Sequence, residues 1–429
     1  MRLILLTLLL AVCVSAGFFG DLGDKVKKIF GGEESVKDKL TSGLKKKLRP
    51  ITHVQVNEMG DSIDEVNEKS EVSDFLYQGD IVMTEDLAEE IEEDINEEVG
   101  EGNRTKRQAY RDRRYPATLW ANGVNYYFDY NASPQVKSVF RKGVKEWEKY
   151  TCINFKEDST ATDRLRIFSE KGCWSYVGRR GGKQDLSLGR GCESVATATH
   201  ELGHALGFFH TMSRHDRDRF ITVNTPNIKA DWLDQFTKQT QQTNENYGIT
   251  YDYGSIMHYG GRSASYNRKA YTMVPFDIKY QETLGSPFVS FYELLMLNKH
   301  YNCLGKCEKD PRRAKCEMGG FPNPRNCAQC ICPGGYGGAT CNKRPNGCGQ
   351  VLNATKEYQD LRSTIGRPDM EEQEDFEICN YWIESPPNTQ IEVRIDKISG
   401  SWTVDGCRYF GVEIKTQEDQ KATGYRLVL

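Results

Sequence analysis

The chain predicts an α+β domain, then a small disulfide-built module, then an all-β end. Three observations carry this expectation. Strand-like runs and amphipathic helical patterns are mixed between 123 and 210, which belongs to α+β layering. Six cysteines crowd between Cys307 and Cys341 amid glycines, a stretch too short to build a core without bridges. Beyond Cys348 the runs QIEVRIDKI, CRYFGVEIK and TGYRLVL read as strands separated by turns.

At 429 residues the chain should hold two or three domains. Its 57 Lys and Arg balance 61 Asp and Glu, so no nucleic-acid partner is implied. MRLILLTLLLAVCVSA (1–16) has a basic residue, an apolar stretch and small residues at Ser15 and Ala16. That is a signal-peptide pattern, too short for a membrane anchor, and no later segment is apolar enough to span a bilayer. A secreted, extracellular product is expected, and fourteen cysteines agree with an oxidising destination. The sequons at Asn103, Asn131 and Asn353 are glycosylation candidates, the second weakened by Pro134.

Residues 17–107 read as a propeptide. The segment runs from lysine-rich (24–48) to acidic (84–98) and ends in RTKR, with Arg107 as the last residue before a dibasic cleavage of the proprotein-convertase kind. Globular patterning begins immediately afterwards.

The region 108–304 opens with strand-like GVNYYFDY. A helix follows, with Ser133 as N-cap, Pro134 in the first turn, and Val136, Val139, Phe140, Val144 and Trp147 on one face. CINF, RLRIF and QDLSLG read as further strands. Next comes ESVATATHELGHALGFFH. Ser194 caps this helix, with Val195, Ala198, Leu202 and Leu206 available to pack inward. His200 and His204, four apart, lie one above the other on its face and can grip one ion. Glu201 sits beside the first of them, placed to hold a water. Gly207 can take φ > 0 and end the helix, which turns the chain and returns His210 to the same ion. Three imidazoles with one open position form a zinc catalytic set. H-E-x-x-H-x-x-G-x-x-H also anticipates a downstream methionine turn, and YGSIMHYG supplies Met257.

With SRHDRD (213–218) and SIMHY (255–259) added, the chain resembles the astacin family of secreted zinc endopeptidases. The resemblance implies a two-lobed metzincin domain over 108–304 with one zinc per chain. It implies that Tyr259 is a further, displaceable ligand that swings to the oxyanion. It also makes LSLG (186–189) the sheet edge that binds extended substrate. LYQGD (76–80) resembles the family's F-x-G-D propeptide motif, which makes Asp80 a zinc ligand of the latent form. Cys152 would pair with Cys303, and Cys173 with Cys192. The family usually has Glu after the third histidine, linked to the buried mature N-terminus. Thr211 stands there and cannot make that ion pair.

Residues 305–342 resemble an EGF-like module. Its usual pairing would join Cys307 to Cys327, Cys316 to Cys330 and Cys332 to Cys341, although spacing alone allows fifteen pairings. Residues 348–429 resemble a CUB-like β-sandwich, shorter than usual, with Cys348 paired to Cys379. Once Cys13 leaves with the signal, parity leaves Cys407 single, which predicts a disulfide-linked dimer or a mixed disulfide through it unless the sequence is an incomplete version of a longer chain.

The function these readings imply is a secreted zinc endopeptidase made as a zymogen. Zinc would acidify a water, Glu201 would shuttle its proton, and Tyr259 would stabilise the oxyanion. The expected substrates are proteins of extracellular matrix or cuticle. The alternative is a catalytically inactive matrix-binding protein that uses its EGF and CUB modules.

Overall fold

The computed structural model describes residues 54–91, 109–110, 114–241, 243–366, 373–399 and 402–428. The signal segment, Asn103 and Arg107 lie outside them.

The first described helix, α1 (Ile63–Lys69), carries Asp64 and Glu65 in its first turn and Lys69 in its last, each charge matched to the helix dipole. Short strand β1 (Ala109–Tyr110) and then β2 (Val124–Phe128) follow. In α2 (Pro134–Glu148) the Ser133 hydroxyl accepts from Val136 N at 3.1 Å, which satisfies one of the backbone donors that a helix start leaves open. All five apolar residues expected inside this helix are buried.

Strands β3 (Phe155–Glu157), β4 (Arg164–Phe168), β5 (Cys173–Trp174) and β6 (Lys183–Leu188) join β2 in a sheet ordered β3-β2-β4-β6-β5. The pairings are parallel except that of β5 with β6. The strand expected at the free edge, 186–189, is therefore covered. β4 pairs along one side of β6, while β5 takes Leu188 and Ser187 on the other. The chain reverses at Gly172, whose φ is +76°, and lays β5 outside β6. The open edge passes to β5.

Helix α3 (Val195–Ala205) begins at Ser194, whose hydroxyl accepts from Thr197 N at 3.1 Å. It crosses α2 closely. Trp147 Nε1 donates to Thr199 O at 2.9 Å, and a β-carbon on Gly143 would lie 3.0 Å from the Thr199 hydroxyl.

The second half of this region is mostly turns. Strand β7 (Ile221–Val223), strand β8 (Asn244–Glu245), which pairs with β1, and strand β9 (Met273–Pro275), which pairs with β7, are its only strands among the described residues. Helix α4 (Phe291–His300) opens on a reciprocal capping box between Ser290 and Glu293. Both disulfides expected in this region are formed. Cys152–Cys303 ties the end of α2 to the end of α4, and Cys173–Cys192 ties β5 to the approach to α3.

In the following stretch the three bridges are Cys307–Cys327, Cys316–Cys330 and Cys332–Cys341. Of the fifteen pairings that spacing left open, the structure thus has the one expected from the EGF-like resemblance. Cys327 and Cys330 lie on β11 (Asn326–Ile331), which pairs with β10 (Phe321–Asn323), and Cys332 follows directly. The three bridges therefore fasten this one hairpin to the chain on either side of it. Cys348 is bonded to Cys379, as expected.

The β-sandwich expected over 348–429 is not formed among the described residues. There are only two separate pairs there, parallel β12 (Val351–Asn353) with β13 (Trp382–Glu384) and antiparallel β14 (Val412–Ile414) with β15 (Tyr425–Leu427). QIEVRIDKI forms no strand, and Ile391 and Val393 are exposed. Two sheets need opposed apolar faces to make a sandwich. Here the last strands turn to the preceding region instead: Arg426 N donates to Thr283 Oγ1 at 3.0 Å and Tyr425 OH to Asp277 at 2.5 Å.

The disulfide expected through Cys407 is not seen, and the residue is buried. Cys407 is 7% exposed, and its sulfur sits under Gly411 and beside the Glu282 carbonyl, a position that disfavours a bond to another chain. Of the two described sequons, Asn353 is exposed, while the exposed Asn131 bonds its side-chain amide to Ser169 O at 2.8 Å.

Candidate metal centre

α3 delivers His200 and His204 from adjacent turns. Gly207, at φ +108°, breaks the helix, with Phe208 N returning to Gly203 O at 3.0 Å. The chain then brings His210 back, so that its Nε2 lies 3.2 Å from that of His200. All three imidazoles are buried.

Each ring is oriented from behind. His200 Nδ1 donates to Ile256 O at 2.6 Å, His204 Nδ1 to Phe208 O at 2.7 Å, and His210 Nδ1 to Gln78 Oε1 at 3.1 Å. Such partners fix the tautomer and leave every Nε2 lone pair facing inward.

Asp80, fully buried, supplies the fourth donor. Its Oδ2 stands 3.1 Å from His200 Nε2 and 3.2 Å from His210 Nε2, and its Oδ1 3.3 Å from His204 Nε2. His204 Nε2 and Asp80 Oδ1 have no hydrogen-bond partner although both are buried. The four side chains can each offer one atom to a common ion. Tetrahedral zinc bonded at about 2.0–2.1 Å requires ligand–ligand edges of about 3.3–3.4 Å, which these separations match. Burial would raise the Asp80 carboxyl, but the imidazoles of His210 and His204 and the bond with His200 hold it well below the usual carboxylate range. Burial also pushes His210 down to about 3. A carboxylate beside the neutral imidazole of His210 is a pairing that suits a cation.

Glu201 points both oxygens into the buried site with no hydrogen-bond partner. Burial, then the Asp80 charge, raises its carboxyl well above the ordinary value. A buried carboxyl poised upward and close to the ligands is suited to proton transfer. Tyr259 OH donates to Asp80 Oδ2 at 2.7 Å. Met257, 1% exposed, lies under α3 so tightly that a β-carbon on Gly203 would stand 2.5 Å from its sulfur.

The segment carrying Asp80 joins the open edge by an isolated β-bridge. Ser175 N donates to Asp80 O at 3.0 Å and Val82 N to Ser175 O at 2.8 Å, in parallel register with the continuation of β5. Positive φ at Gln78 and Gly79 makes the tight turn before it. A side chain on Gly79 would press on Trp232 and the Tyr259 hydroxyl.

Three residues that position the site escaped the sequence reading. Asn67, buried on α1, donates to Gly79 O (2.8 Å) and Cys173 O (2.7 Å) and accepts from Cys173 N (2.7 Å), joining the Asp80 segment to β5. Gln78 orients His210. Glu293 accepts from Ser255 Oγ, Ile256 N and Met257 N at 2.5, 3.1 and 3.1 Å, which holds the methionine turn. Thr211 shares this network through a 2.6 Å bond with Ser255. Only Glu293 left a local signal, the S-x-x-E of its capping box.

The family model for Astacin, a family of peptidases, matches residues 112–302. The chain is 50% identical over 382 residues to zinc metalloproteinase nas-31 of Caenorhabditis elegans, covering 89% of this chain and 62% of the relative. It is 36% identical over 333 residues to zinc metalloproteinase nas-25 of the same organism, covering 76% of this chain and 82% of that one. Among solved structures it is similar to high choriolytic enzyme 1, a hatching enzyme zinc-protease from Oryzias latipes. The identity is 30% and the TM-score 0.39, over 46% of this chain and 94% of the other. The chain spans about three fifths of the length of nas-31 and of nas-32.

Proposed function

Since this chain belongs to the astacin family, we propose that it is a secreted zinc endopeptidase made as a zymogen, with His200, His204 and His210 as the zinc ligands. The observation that carries the reading is the convergence of three inward Nε2 atoms beside the buried, unpartnered Glu201 carboxyl. When bound, zinc supplies Lewis acidity, which polarises a peptide carbonyl and makes water acidic near neutral pH. Glu201 takes the proton from that water and hands it to the leaving amine. Tyr259, released from Asp80, donates to the oxygen on which charge develops. The edge at Ser175, directly after β5, which pairs with residues 80–82 here, receives the substrate backbone by strand addition.

Asp80 makes the zymogen silent by taking the donor position and accepting the Tyr259 hydrogen bond together. Signal removal after Ala16 and convertase cleavage after Arg107 would release the active form. Extracellular matrix or cuticle protein is the proposed substrate class, supported by the secretory pattern and the disulfides. Nothing favours the inactive matrix-binding alternative, since Glu201 and all three histidines are present. The experiment is hydrolysis of unstructured peptides by the protein cleaved at Arg107, before and after zinc removal by a chelator. Internal cleavage that disappears with the metal and returns with added zinc supports the assignment. Metal-independent cleavage, or none, rejects it.

A further inference from the structure

Residues 54–69 are held by contacts other than those of Asp80. On the 112–302 region, Ser263 Oγ and Ala264 N both donate to the buried Asp64, each at 3.0 Å. Arg190 pairs with Glu58 at 3.0 Å, and Arg268 Nη1 donates to Gln55 Oε1 at 2.8 Å. Another side of this seat comes from the far end of the chain. Tyr409 OH donates to Asp61 Oδ1 at 2.7 Å and accepts from Asn57 Nδ2 at 2.5 Å, and Val54 N meets Thr403 O at 3.5 Å.

Asp61, 5% exposed, closes the 56–61 turn from within. Its Oδ2 accepts from Val56 N at 2.8 Å and its Oδ1 from Asn57 N at 3.0 Å. A carboxylate oxygen has a second lone pair, and on Oδ1 it takes the Tyr409 hydroxyl. That hydroxyl therefore gives its one proton and a lone pair to the same turn. Trp402 packs edge-on against the Tyr409 ring, with centroids 5.6 Å apart, which orients the phenol.

The C-terminal segment is seated by contacts in which residues 54–91 take no part. Arg262 N donates to Asp405 Oδ2 at 2.9 Å, and the two side chains form an ion pair. Arg408 Nη2 donates to Ser194 Oγ at 3.0 Å and Thr197 Oγ1 at 3.1 Å, at the start of α3. Gly406, at φ +77°, lies so close to Gly285 that a β-carbon would fall 1.9 Å from its carbonyl oxygen.

We propose that Tyr409, with Thr403, forms a docking site for residues 54–61, which makes the C-terminal segment part of the latency device. This rests on the zymogen reading. The propeptide has two footholds on one piece of chain, Asp80 at the metal donors and the 56–61 turn at Tyr409. A cut after Arg107 breaks neither of them. When one foothold lets go, the other keeps it nearby at high effective concentration. The cut propeptide therefore stays bound and departs slowly.

The test uses the full chain, cut after Arg107 without denaturation and carrying Glu201→Gln so that it cannot digest its own propeptide. Release of the propeptide after dilution is followed by gel filtration, with and without Asp61→Asn, Tyr409→Phe and the two together. Tyr409→Phe keeps the ring against Trp402 and deletes only the hydroxyl. It should speed release roughly tenfold, the scale of a hydrogen bond to a charged group. Asp61→Asn should add less to Tyr409→Phe than it costs alone, since the two share one contact. A propeptide that leaves at once without either change, or effects that simply add, overturns the docking site. The latency role is read with Glu201 intact. Activity on a short peptide should appear slowly after cutting, and about tenfold sooner in Tyr409→Phe. An equal delay in both overturns that role. Failure of every cut form to cleave peptide rejects the zymogen reading, while the release arm still decides the docking site.

Discussion

The Tyr259 hydroxyl donates to Asp80 Oδ2 across 2.7 Å, on the same carboxylate that faces the three imidazoles. Burial, then the Asp80 charge, holds the phenol well above its ordinary range, so Tyr259 stays a proton donor. One side chain thereby occupies both the fourth donor position and the group proposed to stabilise the oxyanion.

If that double occupancy maintains latency, replacing Asp80 should release activity without any cleavage. An uncleavable precursor, Arg107→Ala, is expected to be silent, and the same precursor with Asp80→Ala to hydrolyse peptide. Silence in both would assign latency to occlusion of the cleft by the rest of the segment.

Glu201 and His210 should fail differently. Glu201→Ala removes the only buried carboxyl with both oxygens unpartnered among the described residues, so turnover should drop by about 10²–10⁴ or more while zinc content per chain is kept. His210→Ala should lose the zinc itself, as read by elemental analysis of purified protein. Near-normal turnover by Glu201→Ala would remove it from the mechanism.

Asn67→Ala probes the pin between α1 and β5. It deletes three buried hydrogen bonds, and each partner left unpaired costs about 1–3 kcal/mol. Amide hydrogen exchange at Ile81 and Val82 should accelerate in the precursor, with little change in the α2–α3 core. Unaltered exchange would mean that the β5 contacts alone hold the segment.

Cys407 should be inert in the folded chain. Burial pushes its thiol up to about 12, so the thiolate needed for reaction is scarce at pH 8. A thiol reagent is expected to label it only after denaturation, and non-reducing electrophoresis should show no dimer. Rapid labelling of the native protein would contradict its buried position.

The metal-binding reading was legible because its parts are local. His200 and His204 are one helical turn apart, Gly207 marks the helix end, and the i, i+4 rule follows from backbone geometry alone. Ser133, Ser194 and the apolar face of α2 were legible for the same reason, since caps and helical periodicity act within a few residues. The partners of Cys316 and Cys332 were not legible in that way. Spacing named the bridged stretch, and only a family pattern chose among its pairings.

Strand order was not legible either. LSLG has the alternation of a strand, but alternation does not say whether a neighbour covers its edge. The two-residue β5, too short to show any period, took that place. The sandwich expectation failed similarly, because apolar runs such as QIEVRIDKI report strand preference and not an available partner sheet. Asn67 and Gln78 act across more than a hundred residues of chain, where spacing carries no information. Asp80 itself became a candidate only through a family motif. Its place beside Tyr259, 179 residues away, exists because a glycine turn, a buried asparagine and an open strand edge meet in three dimensions.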